Sequence, residues 1–241
     1  MDKIWTITKK ELGSYFDSLI AYMLIIMFLG FTGFFTWLFA GNIFVQGQAS
    51  LGIFFQVAFW TIFFFAPAIT MRSLAEEKRT GTLELLTTKA SSDWQIVVGK
   101  FLGAYLLVAI CILFTLPYYF SVASIGPIDH GGVIGGYIGL FLMAAAYISI
   151  GILASSITNN QIVAFLVALL IGLFFHWIFG LIAISFRGTL GVVLSYLSTN
   201  THFESLSRGV IDLKDLVYFF SLIALALVAA HTVISRRNWQ G

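Results

Sequence analysis

Six apolar runs, each long enough to cross a lipid bilayer, set the limits on this chain: residues 19–39, 51–71, 99–123, 132–155, 162–186 and 216–235. A spanning helix needs roughly 20 apolar residues to cross about 30 Å of hydrocarbon. A soluble fold would leave most of these residues with no polar face to turn to water. The composition says the same, with 59% hydrophobic residues, 17% aromatic residues and 25 phenylalanines, far above globular usage. The expected fold is an all-α membrane protein of six transmembrane helices, forming a single domain over residues 1–241.

The cations set the orientation. Counting alternate connections, one side carries Lys3, Lys9, Lys10, Arg72, Lys78, Arg79, Lys89, Lys100, Arg236 and Arg237. The other side carries only Arg187, Arg208 and Lys214. Ten against three is a positive-inside bias that places both termini in the cytoplasm. The first run is long and has no small-residue cleavage site behind it, so it is read as a retained span rather than a signal peptide. Residues 2–17 read as an amphipathic interface helix, with Ile4, Trp5, Leu12, Tyr15 and Phe16 near one face and Lys3 and Lys10 on another. An anchor and an elbow that transmits motion fit this segment equally.

Between the second and third runs lies a charged island, Arg72-Ser73-Leu74-Ala75-Glu76-Glu77-Lys78-Arg79-Thr80-Gly81-Thr82-Leu83-Glu84-Leu85-Leu86. In a chain with 10% charged residues, such a segment must lie in water and is the natural place for a soluble partner to dock. Ser73 to Arg79 read as a short helix stopped at Gly81, and a second could start at Thr82. Ser92-Asp93-Trp94-Gln95 has capping-box spacing, so the third helix should begin before its membrane entry. A solvated loop that only enforces topology is the simpler alternative.

Glycines 131, 132, 135, 136 and 139 give stacked G-x-x-x-G registers at the head of the fourth run. Gly131, Gly135 and Gly139 are expected to form a packing face, within the chain or between copies. The outer segment 187–214 should hold a short helix carrying Leu190, Val193, Leu194 and Leu197. It reads either as a reconnecting loop or as a lid or re-entrant hairpin.

Several chemistries lack their residues. Gly99-Lys100 is no P-loop, because Trp94 stands at the first glycine position and Phe101 at the Ser/Thr position. There is no H-E-x-x-H or Cys/His cluster for zinc, and Cys111 is the only cysteine. His176 and His231 would differ in depth by on the order of 10 Å, too far for two axial ligands of one haem. His176 stays as a pathway candidate, being ionisable inside a span. Asp17, Asp129 and Asp215 flank the runs rather than enter them, which disfavours an ion-coupled carrier. The net charge of +2 gives no reason to expect nucleic acid.

The interface-helix start, the six runs, the stretch Glu76 to Leu86 and Val98-Gly99-Lys100-Phe101 together resemble the exporter-type (type 2) ABC transporter permeases. The resemblance covers essentially the whole chain. It is nearest to the gliding-motility permease (Gld F type) and the nitrous oxide reductase maturation permease, with Phe203, Glu204, Arg208 and Asp212 supporting the gliding branch. It implies a permease subunit whose cytoplasmic segment 72–98 carries a coupling helix, with Glu76, Glu77, Lys78, Arg79 and Glu84 contacting a separate ABC ATPase. That ATPase would bind ATP and Mg, leaving this chain without cofactor or catalytic residue. The resemblance further implies a bacterial inner-membrane homodimer, outer helices over 187–214, and an accessory chain for any extracytoplasmic domain. A structural membrane anchor for a larger complex is the reading from another class.

Overall fold

The computed structural model describes residues 2–39, 43–82 and 92–235. These residues are helical with no strand among them, and six helices are long and apolar enough to cross a membrane. In order they are α1 (Asp2–Asp17), α2 (Ile20–Trp37), the short α3 (Ile43–Gln46), α4 (Gly52–Thr70), α5 (Ala75–Thr80), α6 (Asp93–Leu113) and α7 (Leu116–Ile125). There follow α8 (His130–Ile157), α9 (Gln161–Leu173), a π-turn (Phe174–Ile178), α10 (Phe179–Ser185), α11 (Thr189–Leu197), α12 (Thr199–Ser207) and α13 (Leu213–Ser235). The spans are α2, α4, α6 with α7, α8, α9 with α10, and α13.

Burial sorts the spans into a centre and a rim. In α8, 78% of the apolar window is buried, against 22% for α2 and for the α9–α10 span. The fourth span is therefore the spine, packed by α4, α6, α9, α12 and α13. Its small residues permit this: beside Gly151 there is room only for the Thr70 side chain, and a Cβ at Gly136 would press into the Phe55 ring at 2.5 Å. Close backbone approach is how helices associate where lipid and side chains are equally apolar.

The ends of the elements follow local chemistry. Ser92 Oγ accepts from Gln95 N at 3.3 Å and Gln95 Oε1 accepts from Ser92 N at 3.1 Å, the expected capping box. We expect Ser92→Ala to lower stability by about 1 kcal/mol, read as a small fall in melting temperature in detergent. Asp129 Oδ1 accepts from Gly132 N at 3.1 Å and starts α8. The helix read over Ser73 to Arg79 spans Ala75–Thr80 and ends at Gly81 with φ 71°, in the left-handed region. The helix suggested from Thr82 onward lies outside the described residues.

Two elements depart from their sequence reading. In α1 the expected apolar side does pack inward through Leu12, Tyr15 and Phe16, but buried Thr8 and half-buried Glu11 go with it, and Trp5 is 52% exposed. The reason lies in α6: Gly99 and Gly103 open a track along which α1 lies, and a Cβ at Gly99 would stand 2.7 Å from Ile7 Cβ. Thr8 Oγ1 donates to Gly99 O at 3.2 Å within that contact. In α11, Leu190, Val192 and Val193 are exposed and only Gly191 is buried. The helix lies against α10 and presents its apolar side outward.

Candidate functional site

A hydroxyl of α8 fastens the head of the charged island to the spine. Ser155 Oγ of α8 accepts from Leu74 N and Ala75 N, both at 3.0 Å, and donates to Met71 O at 3.2 Å. It thereby satisfies amides at the start of α5 that have no partner inside the helix. Acidic Glu76 and Glu77 in the first turn and basic Lys78 and Arg79 in the last complement the helix dipole.

Beneath α5 sits a buried cation. Lys100 is 2% exposed, with Nζ 2.8 Å from Glu77 Oε1 and 3.4 Å from Glu11 Oε2. Ser73 Oγ donates to Glu11 Oε1 at 3.3 Å. An ammonium out of water is tolerated only when paired and hydrogen-bonded, and here two carboxylates share it. The cluster joins α1, α5 and α6 at one point. Tyr15 OH adds a bond to Ile69 O at 3.4 Å, and burial, reinforced by the Glu11 carboxylate, pushes its phenol well above the ordinary range. Lys78 Nζ donates to Ser156 O at the end of α8.

The residues expected to contact a partner therefore divide. Glu77 and Lys78 face inward and hold the island against α6 and α8. Glu76 and Arg79 face outward with Arg72, their side chains 34%, 62% and 47% exposed. Arg72 Nε lies 3.0 Å from Glu76 Oε2 and Arg79 Nη2 4.0 Å from Glu76 Oε1. Thr80, Gly81 and Thr82 extend this exposed surface. Glu84 lies outside the described residues. The arrangement suits mechanical work: a charged, rigid knob with its inner side bolted to three helices.

At the opposite end of α8 the glycine registers face α12 of the same chain. A Cβ at Gly135 would collide with Leu206 O, and one at Gly139 would meet the Phe203 ring at 3.0 Å. Gly131 differs, its nearest neighbour being Asp129 Oδ1 at 3.3 Å. Phe203 is buried and stacks on Phe59 at 4.7 Å. Glu204 and Arg208 are exposed; Glu204 Oε1 accepts from Asn200 Nδ2 at 2.7 Å and Arg208 Nε donates to Glu204 O at 3.1 Å. Asp212 pairs with Lys214 at 2.8 Å, and that ammonium holds its carboxyl below the usual range.

His176 and His202 occupy different settings. His176 projects from the π-turn between the rings of Phe59 and Phe63, at 4.1 and 4.5 Å, with Nδ1 2.7 Å from Tyr147 OH. Such single-turn π-bulges recur at functional sites. His202 had no signal in the sequence. Its Nδ1 lies 2.6 Å from Asp215 Oδ1, both side chains buried, and its Nε2 lies 2.7 Å from Tyr196 O. The carbonyl only accepts, so Nε2 is the donor in that bond. Asp215, at the head of the last span, thus ties α13 to α12.

Two hollows lie side by side near this end. One, of about 370 Å³, is bounded by α4, the head of α8 and α12, with Asp129, Glu204, Asn200 and Gln56 among its walls and Phe55, Phe59 and Phe203 beneath. The second, of about 520 Å³, is an apolar groove between α2 and α4 lined by Met27, Phe31, Phe35 and Phe64. Gln56 and Trp60 line both.

A family model described as "ABC-2 family transporter protein" matches residues 40–234. The match takes in the second to sixth spans, the island and helices α11 and α12. No curated protein matches the chain.

Proposed function

The chain belongs to the ABC-2 transporter family, and on that premise we propose that it is the permease subunit of an ABC exporter, a multi-pass membrane protein driven by a separate cytoplasmic ATPase. In this reading ATP and Mg are bound by the ATPase, and residues 1–241 form one transmembrane domain. Two permease copies pair in a bacterial inner membrane, with both termini cytoplasmic as the cation distribution favours. The observation that carries the reading is the capped α5 knob, exposed through Arg72, Glu76 and Arg79 yet tied to the spans through Glu77–Lys100 and Ser155. A partner pressing on that surface moves α6 and α8 together.

In this reading the chain resembles the gliding-motility and nitrous oxide reductase maturation permeases, and an accessory chain would supply any extracytoplasmic domain. Reversing the outward charges (Glu76→Arg with Arg79→Glu) should remove co-purifying ATPase activity from the tagged permease, at least tenfold, while its melting temperature stays within a few degrees. Retained activity in a folded variant would reject the knob as the docking element. Absence of any ATPase from wild-type preparations, with the candidate ATPase shown to be co-expressed, would favour a structural anchor.

A further inference from the structure

The cavity at the end of the bundle away from the island carries two carboxylates, Asp129 and Glu204, and no Lys, Arg or His among its described walls. Each carboxylate commits one oxygen to this chain, Asp129 Oδ1 to Gly132 N and Glu204 Oε1 to Asn200 Nδ2. Each keeps a second oxygen for a ligand. Arg208 does not line the cavity; it is exposed and bonded to the Glu204 carbonyl. The floor is aromatic, which suits a cation that is poorly hydrated, such as a substituted ammonium. An anionic headgroup would meet two like charges.

The cavity does not stand alone. Gln56 and Trp60 line it and also line the apolar groove, whose walls on α2 are Met27, Phe31 and Phe35. Those three recur along one face of α2 over eight residues, about 12 Å, which is the reach of an alkyl chain rather than of a single methyl. A polar, acidic hollow that shares Gln56 and Trp60 with an elongated apolar one matches the two halves of an amphiphile. Charge at one end and chain length at the other choose its class.

We propose that the two hollows form one binding site for an amphiphile with a cationic, ammonium-type headgroup. The headgroup lies between Asp129 and Glu204 above the aromatic floor, and the alkyl chain passes Gln56 and Trp60 into the groove between α2 and α4. As a statement about substrate class it rests on the permease reading, but the site itself needs no ATPase to be tested.

The test is photolabelling of the purified full chain in neutral maltoside micelles. The probe is a dodecyl-trimethylammonium with a diazirine at the chain end, compared with the sulfate of the same chain. Mass spectrometry should find the ammonium probe attached to Met27, Phe31 or Phe64. Asp129→Asn with Glu204→Gln should reduce that labelling about tenfold, while the sulfate labels weakly throughout. Asparagine still caps α8 and glutamine still accepts from Asn200, so the double variant should keep its melting temperature. Trp60→Ala should shift the attachment sites and leave the fold intact. Equal labelling by both probes, unchanged in the double variant, would reduce the groove to an ordinary lipid-facing surface and overturn the proposal. No labelling in the groove, with a dimer crosslinked through α2, would assign the groove to a second copy and also overturn it. Either result leaves the ATPase co-purification of the permease reading standing or falling on its own.

Discussion

Replacing Lys100 with methionine lowers the stability of the chain by about 3–5 kcal/mol, the cost of leaving partners of a buried ion pair uncompensated. Lys100 is 2% exposed, and its removal strands Glu77, whose Oε2 already lacks a partner, and Glu11. The loss appears as a lower melting temperature in detergent, and it has a distinctive repair. Lys100→Met combined with Glu77→Gln should recover most of it, because the second change withdraws the stranded charge and Glu11, 18% exposed, still reaches water. If the double variant is no more stable than the single one, the pair is not what holds α5 to α6. The same variants separate structure from coupling. If the proposed permease reading holds, the repaired protein should still bind a partner ATPase through Glu76 and Arg79 but stimulate it less, since the knob is then joined to the third span by weaker bonds.

The second large effect lies at the other end of the spine. Gly135→Ala should cost about 3 kcal/mol or more, because its Cβ would strike a backbone oxygen, Leu206 O, with Gly209 Cα 3.3 Å away. A backbone cannot rotate aside as a flexible side chain can. Gly139→Ala should cost less, since the Phe203 ring at 3.0 Å has some freedom to shift. Gly131→Ala meets only the Asp129 carboxylate at 3.3 Å and should be nearly neutral, and Gly30→Ala, with nothing within 4 Å, should be neutral or slightly stabilising. The order Gly135, Gly139, Gly131 in melting-temperature loss is the quantity to measure. An equal loss at all three would point to a packing face shared with a second copy instead.

Much of this architecture could be read from residues alone, for identifiable reasons. Spans announce themselves because lipid demands an uninterrupted apolar run, and all six fall where the runs are. The capping box at Ser92 and the helix stop at Gly81 are local devices, complete within a few residues. What failed to show was whatever depended on distant partners. Six residues of α5 place side chains all around the helix, and only Lys100 and Ser156, far along the chain, decide that Glu77 and Lys78 turn inward. The burial of Asp215 likewise depends on α12, which brings His202 to it. One signal was present and passed over: Gly99 and Gly103 are small residues four apart, the spacing that admits a neighbouring helix. Beside Lys100 the first of them looked like a fragment of a nucleotide-binding loop, and the track for α1 went unread.

The contact of Gly151 with Thr70 has a mechanical meaning. It is the point where α8 lies hardest against α4, the missing side chain being replaced by the threonine itself. From there to Ser155, where the island is fastened, is four residues, about 6 Å; to Gly135, under α12, is sixteen residues, about 24 Å. The two arms of α8 measured from this contact stand at about one to four, so a tilt of α8 about it would displace Gly135 about four times as far as Ser155 and in the opposite sense.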